Sequence, residues 1–363
     1  MSTIAESRLR LPLPAPIEAS RPVTALAPMQ DVTTLGFLRL LGVYGPPDYL
    51  FTEYFRVYTH SKPEPHIVES IVGNGTGRPV FAQMIGESIA DLLRTAELLA
   101  ELPIAGIDLN MGCPAPKVYK KNVGGGLLRD LATVERLLSA LRKGIRGRFT
   151  VKMRIGFGDT DHYERLLEIV ANSGVDLLSV HGRTVKGGYR SEVDYPRIAQ
   201  AVRAVPCPVL ANGNVSSASK AEAVINETGA AGVMIGRACI RNPWIFRQIH
   251  ERWGAKPIFV PKLSDVREYL DRLYDNVTDP LQPERYRLAR LKKFLNFIGV
   301  SVDPEGTFLH QARRVKTLTE LQHLADRFLI ENGKADEPYP DEPWPGLIAR
   351  PNCEGDREQA CHL

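Results

Sequence analysis

The chain has 363 residues, 44% of them hydrophobic and 24% charged, a composition that suits a folded globular protein and excludes collagen, coiled coil and wholesale disorder. Its apolar runs break after a few residues, far short of the ~18 needed to cross a bilayer, so no membrane partner is expected. The formal charge is +4, but residues 331–363 hold eight acids against three bases, which leaves +9 on residues 1–330 and favours a polyanionic partner.

Residues 1–21 read as an irregular leader, with prolines at 12, 14 and 16 and no apolar core of signal-peptide type, so a cytoplasmic location is expected. From there short β-prone runs recur: Val23–Ala27, Leu50–Glu53, Pro79–Met84, Gly106–Asn110, Thr150–Ile155, Asp176–Val180, Pro208–Ala211 and Gly232–Ile235. Most are nearly continuous apolar stretches, as parallel strands buried on both faces should be, and helix-length segments follow most of them. The clearest are Ser88–Glu101, Leu131–Lys143, Tyr163–Asn172 and Ser216–Glu227. Eight such units predict a (β/α)8 TIM barrel over residues 22–255. An open doubly wound sheet is the alternative, but no GxGxxG follows the first strand. Residues 256–330 read as a small α-helical domain, with Leu288, Leu291, Leu295 and Ile298 at helical spacing. Five bases lie between Arg285 and Lys293, and a basic helix face of this kind is either merely solvated or placed for phosphate contact. Residues 331–363 read as an acidic, proline-rich disordered tail.

In a barrel the chemistry gathers where strands end. The ends here offer Ala27, Pro28 and Met29, then Glu53, Gln83, Asn110, Lys152 with Arg154, His181, Asn212-Gly213-Asn214, and Gly236-Arg237. Such a circle of polar residues argues for a large bound cofactor. The last two strands each lead through glycine into a helix expected near Ser216 and near Ile240, the usual barrel phosphate site. Lys152 alternates with apolar neighbours and points inward, where it needs an electron-rich partner. With Gln83 near a pyrimidine edge, these residues describe bound FMN. Cys113 follows a strand end on a long loop and could act as proton donor or nucleophile. The five cysteines form no CxxC pair, so neither a disulfide framework nor a metal site is expected.

Several motifs run in one order: Leu26-Ala27-Pro28-Met29, Phe51-Thr52-Glu53, Gln83-Met84, Asn110-Met111-Gly112-Cys113-Pro114, Gly124-Gly125-Gly126-Leu127-Leu128, Val151-Lys152-Met153-Arg154, His181-Gly182-Arg183-Thr184, Ala211-Asn212-Gly213 and Met234-Ile235-Gly236-Arg237. In these the chain resembles the tRNA-dihydrouridine synthases, with the fit closest to their bacterial C-type branch. The resemblance implies a monomeric enzyme that binds tRNA and reduces a D-loop uridine, position 16 in that branch, to 5,6-dihydrouridine. FMN would be held by Ala27, Pro28, Met29, Gln83, Lys152, His181, Asn212, Gly213, Asn214, Gly236 and Arg237, and NADPH would reduce it. Hydride would pass from flavin N5 to C6 while Cys113 protonates C5, with Asn110 and Arg154 in the uracil pocket. Arg287, Arg290, Lys292 and Lys293 would meet the tRNA backbone. An FMN barrel acting on a free pyrimidine such as dihydroorotate, or a non-catalytic RNA-binding relative, are the alternatives. The chain departs from the family after Thr184, where Val185-Lys186-Gly187-Gly188-Tyr189 stands.

Overall fold

The computed structural model describes residues 13–15 and 21–350. Nine strands, all in parallel pairings, appear among them: β1 (Val23–Leu26), β2 (Tyr49–Phe51), β3 (Phe55–Arg56), β4 (Val80–Ile85), β5 (Gly106–Met111), β6 (Phe149–Arg154), β7 (Leu177–His181), β8 (Val209–Asn212) and β9 (Gly232–Ile235). The sheet runs β2-β1-β9-β8-β7-β6-β5-β4-β3, and a further pairing of β2 with β4 closes it. The eight predicted runs are the eight barrel strands; β3 is a two-residue addition to β4. The architecture is therefore a TIM barrel followed by helices, as the strand periodicity indicates.

The barrel floor is filled by Val23, Ala25, Tyr49, Phe51, Phe81, Leu177, Leu210 and Met234, all buried, with Phe51 stacked on Phe81 at 4.9 Å. Leu13 joins this cluster, and the Tyr49 hydroxyl donates to the Pro14 carbonyl. The remainder of the leader lies outside the described residues. Helices start where a side chain satisfies the free backbone N–H groups: Ser88 caps Ile89–Ala100, Asp130 caps Leu131–Gly144, and Ser217 caps Ala218–Thr228, which ends on left-handed Gly229.

The helices Leu263–Val277, Glu284–Ile298, Thr307–Ala312 and Leu318–Leu329 follow the barrel. Leu288, Leu291, Leu295 and Ile298 are all buried, as their spacing predicts. They join the same apolar core as the barrel helices, with Phe294 against Phe37 at 5.7 Å. The approach needs a glycine: a Cβ on Gly36 would come 1.7 Å from the Asn276 carbonyl oxygen.

The expectation of a disordered tail is corrected for residues 331–350. This segment returns across the seam between barrel and helices, pairing Pro338 with Lys262 and burying Tyr339. Its anchor is the buried guanidinium of Arg241, which donates to the carbonyls of Pro340, Asp341 and Ser216 and to the Ser301 hydroxyl. Composition could not announce this, because the partner lies about a hundred residues upstream. Residues 351–363 lie outside the described part. Arg241→Ala leaves several buried acceptors unpaired and should lower stability by about 3 kcal/mol; a denaturation midpoint equal to that of the parent would show the strap to be loosely held.

Candidate active site

Strand register decides which side chains meet. Gln83 on β4 lies level with Asp108 on β5, and Asp108 with Thr150 on β6. One step toward the mouth Asn110 is level with Lys152, and at the rim Arg154 pairs with His181 and His181 with Asn212. Level residues on parallel strands project from the same face, so these groups collect inside the barrel above its apolar floor.

Direct hydrogen bonds tie them together. Gln83 Nε2 donates to Asp108 at 2.7 Å, and the Thr150 hydroxyl to the same carboxylate at 2.6 Å. Asn110 Nδ2 donates to Gln83 Oε1 at 2.8 Å, while its Oδ1 accepts from the backbone N–H of Gly112 and of Cys113 at 3.1 and 3.0 Å. Lys152 Nζ donates to Asn212 Oδ1 at 3.1 Å. Burial, then the nearby Arg154, lowers the Lys152 ammonium to about 8, with Asp108 and Cys113 opposing. Burial likewise raises Asp108 to about 6 against the pull of Thr150, Gln83 and Lys152.

Cys113 opens the long loop after β5. The loop doubles back so that Gly125 N donates to the Cys113 carbonyl at 3.3 Å. Gly124 has φ +57°, and a Cβ there would sit 3.0 Å from that of Cys113; on Gly125 it would sit 2.8 Å from the Cys113 oxygen. Only glycine lets the two strands of the loop approach so closely. Cys113 is partly exposed, whereas Cys207 and Cys239 are buried. Burial pushes its thiol up, and Ala115, Arg154, Lys152 and Lys117 only partly offset this, so the thiol is protonated at neutral pH and suits an acid role.

Arg154 is buried and bridges two loops, donating to Gly112 O at 2.9 Å and to Thr184 O and Gly188 O at 3.0 and 2.9 Å. Burial lowers it to about 10. His181 is held well below its usual range by burial and by Arg154, Lys152, Arg183 and Arg237 around it. Since Arg183 Nη1, a donor only, lies 3.3 Å from His181 Nε2, the neutral ring accepts there. On the far side, Gly213 takes φ +126° and the exposed Asn214 φ +46°. Gly236 adjoins Ala27 and Met29: its Cβ would lie 3.6 and 3.4 Å from their side chains. The helix after β9 runs Ala238–Arg241, starting two residues before the expected Ile240.

The structure thus brings Ala27, Met29, Gln83, Asn110, Cys113, Lys152, Arg154, His181, Asn212, Gly213 and Gly236 to one mouth. Three residues there escaped a sequence assignment. Tyr189 lies under Arg237, 4.2 Å from guanidinium carbon to ring centre, and 5.5 Å from Arg154; Arg183 holds His181; Asp108 holds Gln83. Spacing carries no signal for Tyr189, because its place depends on how residues 182–194 fold over the mouth. A half-buried ammonium among donors suits an electron-rich ring with an anionic tail, so the chemistry of this set fits a flavin nucleotide.

The basic helix is less uniform than its sequence. Lys293 is exposed, Arg287 stacks on Tyr274 at 4.3 Å, and Arg290 reaches the Val277 carbonyl at 3.4 Å. Lys292 is partly exposed, and its ammonium donates to the carbonyls of Arg313 and Val315, so part of its donor capacity is used within the protein. Helical spacing places a residue on a face without saying what covers that face.

A family model described as dihydrouridine synthase matches residues 25–330. The tRNA-dihydrouridine synthase B of Pseudomonas aeruginosa is 36% identical over 228 residues, 62% of this chain and 68% of its own length. The probable tRNA-dihydrouridine synthase of Rickettsia prowazekii is 31% identical over 70% of this chain and 78% of its own. The tRNA-dihydrouridine(16) synthase of Haemophilus ducreyi is 29% identical but reaches further, over 80% and 90%. Among solved structures, histamine dehydrogenase from Rhizobium sp. 4-9 is 11% identical and superimposes with a TM-score of 0.50 over 69% of this chain and 48% of that one, a likeness of fold.

Proposed function

The chain belongs to the dihydrouridine synthase family, and from that premise we propose that it reduces a D-loop uridine of tRNA to 5,6-dihydrouridine, with FMN as cofactor and NADPH as reductant. The observation that carries this reading is the meeting, at one barrel mouth, of the Cys113 thiol on an anchored loop, its pKa pushed up by burial, with the half-buried Lys152 ammonium. Ala27, Pro28, Met29, Gln83, Lys152, His181, Asn212, Gly213, Asn214, Gly236 and Arg237 would hold FMN. The flavin held there would supply the hydride for C6 of the uracil. Cys113 gives the matching proton to C5 and recovers one from solvent. Asn110 positions the base, and Arg154 holds the loops on either side of it. Asn110 and Arg154 are buried, so the target uridine must leave its stack to reach them.

The test is direct: the purified protein should be yellow, be bleached by NADPH without oxygen, and form dihydrouridine in unmodified tRNA. Turnover of free dihydroorotate or orotate with no effect on tRNA would overturn the reading. Mapping dihydrouridine in a deletion strain checks D-loop position 16, the site named in the relatives that align over most of this chain.

The +9 body gives the tRNA an attractive surface. Replacing Arg287, Arg290 and Lys293 together with Gln should raise KM for tRNA and flatten the slope of log affinity against log salt by about 2 to 3, leaving NADPH oxidation intact. Lys292→Gln should act on stability instead. An unchanged salt slope in the triple variant would move the RNA to another face.

A further inference from the structure

The amides of Gln83 and Asn110 form a chain whose direction is dictated from both ends. At one end the N–H groups of Gly112 and Cys113 can only donate, so Asn110 must turn its oxygen to them. Its nitrogen then faces Gln83, which must answer with Oε1. That leaves Gln83 Nε2 facing Asp108, whose carboxylate can only accept and is held by Thr150 from the other side. Asp108 is fully buried, and a buried carboxylate is expensive where a neutral residue would fill the space. Its placement is explained if an acceptor-only group is needed. Each amide keeps one unused N–H after these bonds are counted.

We propose that Asp108 is a positioning residue: by fixing the direction of the Gln83–Asn110 chain it anchors the Cys113 loop and makes both amides offer N–H, not oxygen, to a ring in the barrel mouth. On the assignments above, the Gln83 N–H would meet a flavin carbonyl and the Asn110 N–H a carbonyl of the base, which selects uracil over the exocyclic amine of cytosine. That second half rests on the function proposed above; the anchoring of the loop does not.

A swap of acid and amide along the chain tests it. In Asn110→Asp the new carboxylate still accepts from Gly112 and Cys113 but meets Gln83 Oε1, and Gln83 cannot turn because Asp108 accepts too. In Asp108→Asn the new amide can face Gln83 with its oxygen, and the Thr150 hydroxyl can adapt. In the double variant Asp108→Asn with Asn110→Asp the whole chain reverses: the amide at 108 donates to Gln83 Oε1, Gln83 Nε2 donates to the carboxylate at 110, and the loop N–H groups are satisfied again.

Thermal unfolding of the full chain at pH 8 and iodoacetamide labelling of Cys113 read this without flavin or tRNA. Asn110→Asp should lower Tm by about 5 °C and change the labelling rate about threefold or more. Asp108→Asn alone should do much less, and the double variant should return most of the way to the parent in both readouts. Losses that add in the double variant, or an Asn110→Asp protein indistinguishable from the parent, would overturn the proposal. If Asn110→Asp does not fold, recovery of folded protein by Asp108→Asn is the same restoration, and its failure counts against the chain. Failure of the tRNA reading would show separately, as a parent protein that makes no dihydrouridine.

Discussion

Cys113→Ala loses dihydrouridine formation by about 10²- to 10⁴-fold, the range expected when a positioned general acid is removed, while flavin content and NADPH oxidation stay at parental levels. The expectation follows from where the thiol sits. It is partly exposed, on a loop whose N–H groups are tied to Asn110 and whose carbonyl is tied to Gly125. Its proton is retained at neutral pH because burial outweighs the lowering influence of Ala115, Arg154, Lys152 and Lys117. A nucleophile would need the opposite balance. Single-turnover measurement separates the half-reactions: the reductive half uses no proton from Cys113, and the half that acts on tRNA does. Full tRNA turnover in the alanine variant would remove the cysteine from the chemistry, and equal loss in both halves would make it a structural residue.

Lys152→Met should have the second large effect, with a signature of opposite signs. The parental ammonium is half-buried and lowered to about 8 from an ordinary value of 10.5, chiefly by loss of solvent. Below pH 8 the charge is carried in both folded and unfolded chains, and its burial costs the flavin-free fold on the order of 3 kcal/mol. Between about pH 8 and 10.5 the unfolded chain binds more protons than the folded one, so stability of the flavin-free protein rises with pH in that window. Methionine removes the charge, so the variant should unfold at a higher temperature at pH 7 and lose the rise. Flavin retention should fall instead, since an electron-rich ring loses its neighbouring cation. In the parent, binding such a ring favours the charged ammonium, so flavin affinity should weaken as pH climbs through about 8. Absorbance of released flavin and melting curves across pH 6–10 check both halves. A variant that keeps its flavin with parental affinity at every pH would remove Lys152 from the cofactor site.

Much of the site was legible because barrels place chemistry at strand ends. Gln83, Asn110, Lys152, Arg154, His181 and Asn212 could be named from the ends of apolar runs alone, and registers between neighbouring strands bring them together. Legibility failed where a contact joins distant segments through a loop or tail. Lys292 looked like part of a phosphate face, yet carbonyls of residues 313 and 315 lie against it. The segment 331–350 had the composition of disorder, yet Arg241 holds it. Tyr189 had no pattern to mark it, yet two guanidiniums at the mouth, those of Arg154 and Arg237, lie 5.5 and 4.2 Å from its ring centre.

Local sequence by itself determined the eight strands, the core faces of the helices and the residue types at the mouth, because buried parallel strands and amphipathic helices write their periodicity directly into the chain. Tertiary structure alone decided the charge state and direction of those groups. A lysine is lowered, a thiol stays protonated and an amide turns one way only because of what lies within a few ångströms in space, and those neighbours come from strands 25 to 60 residues apart.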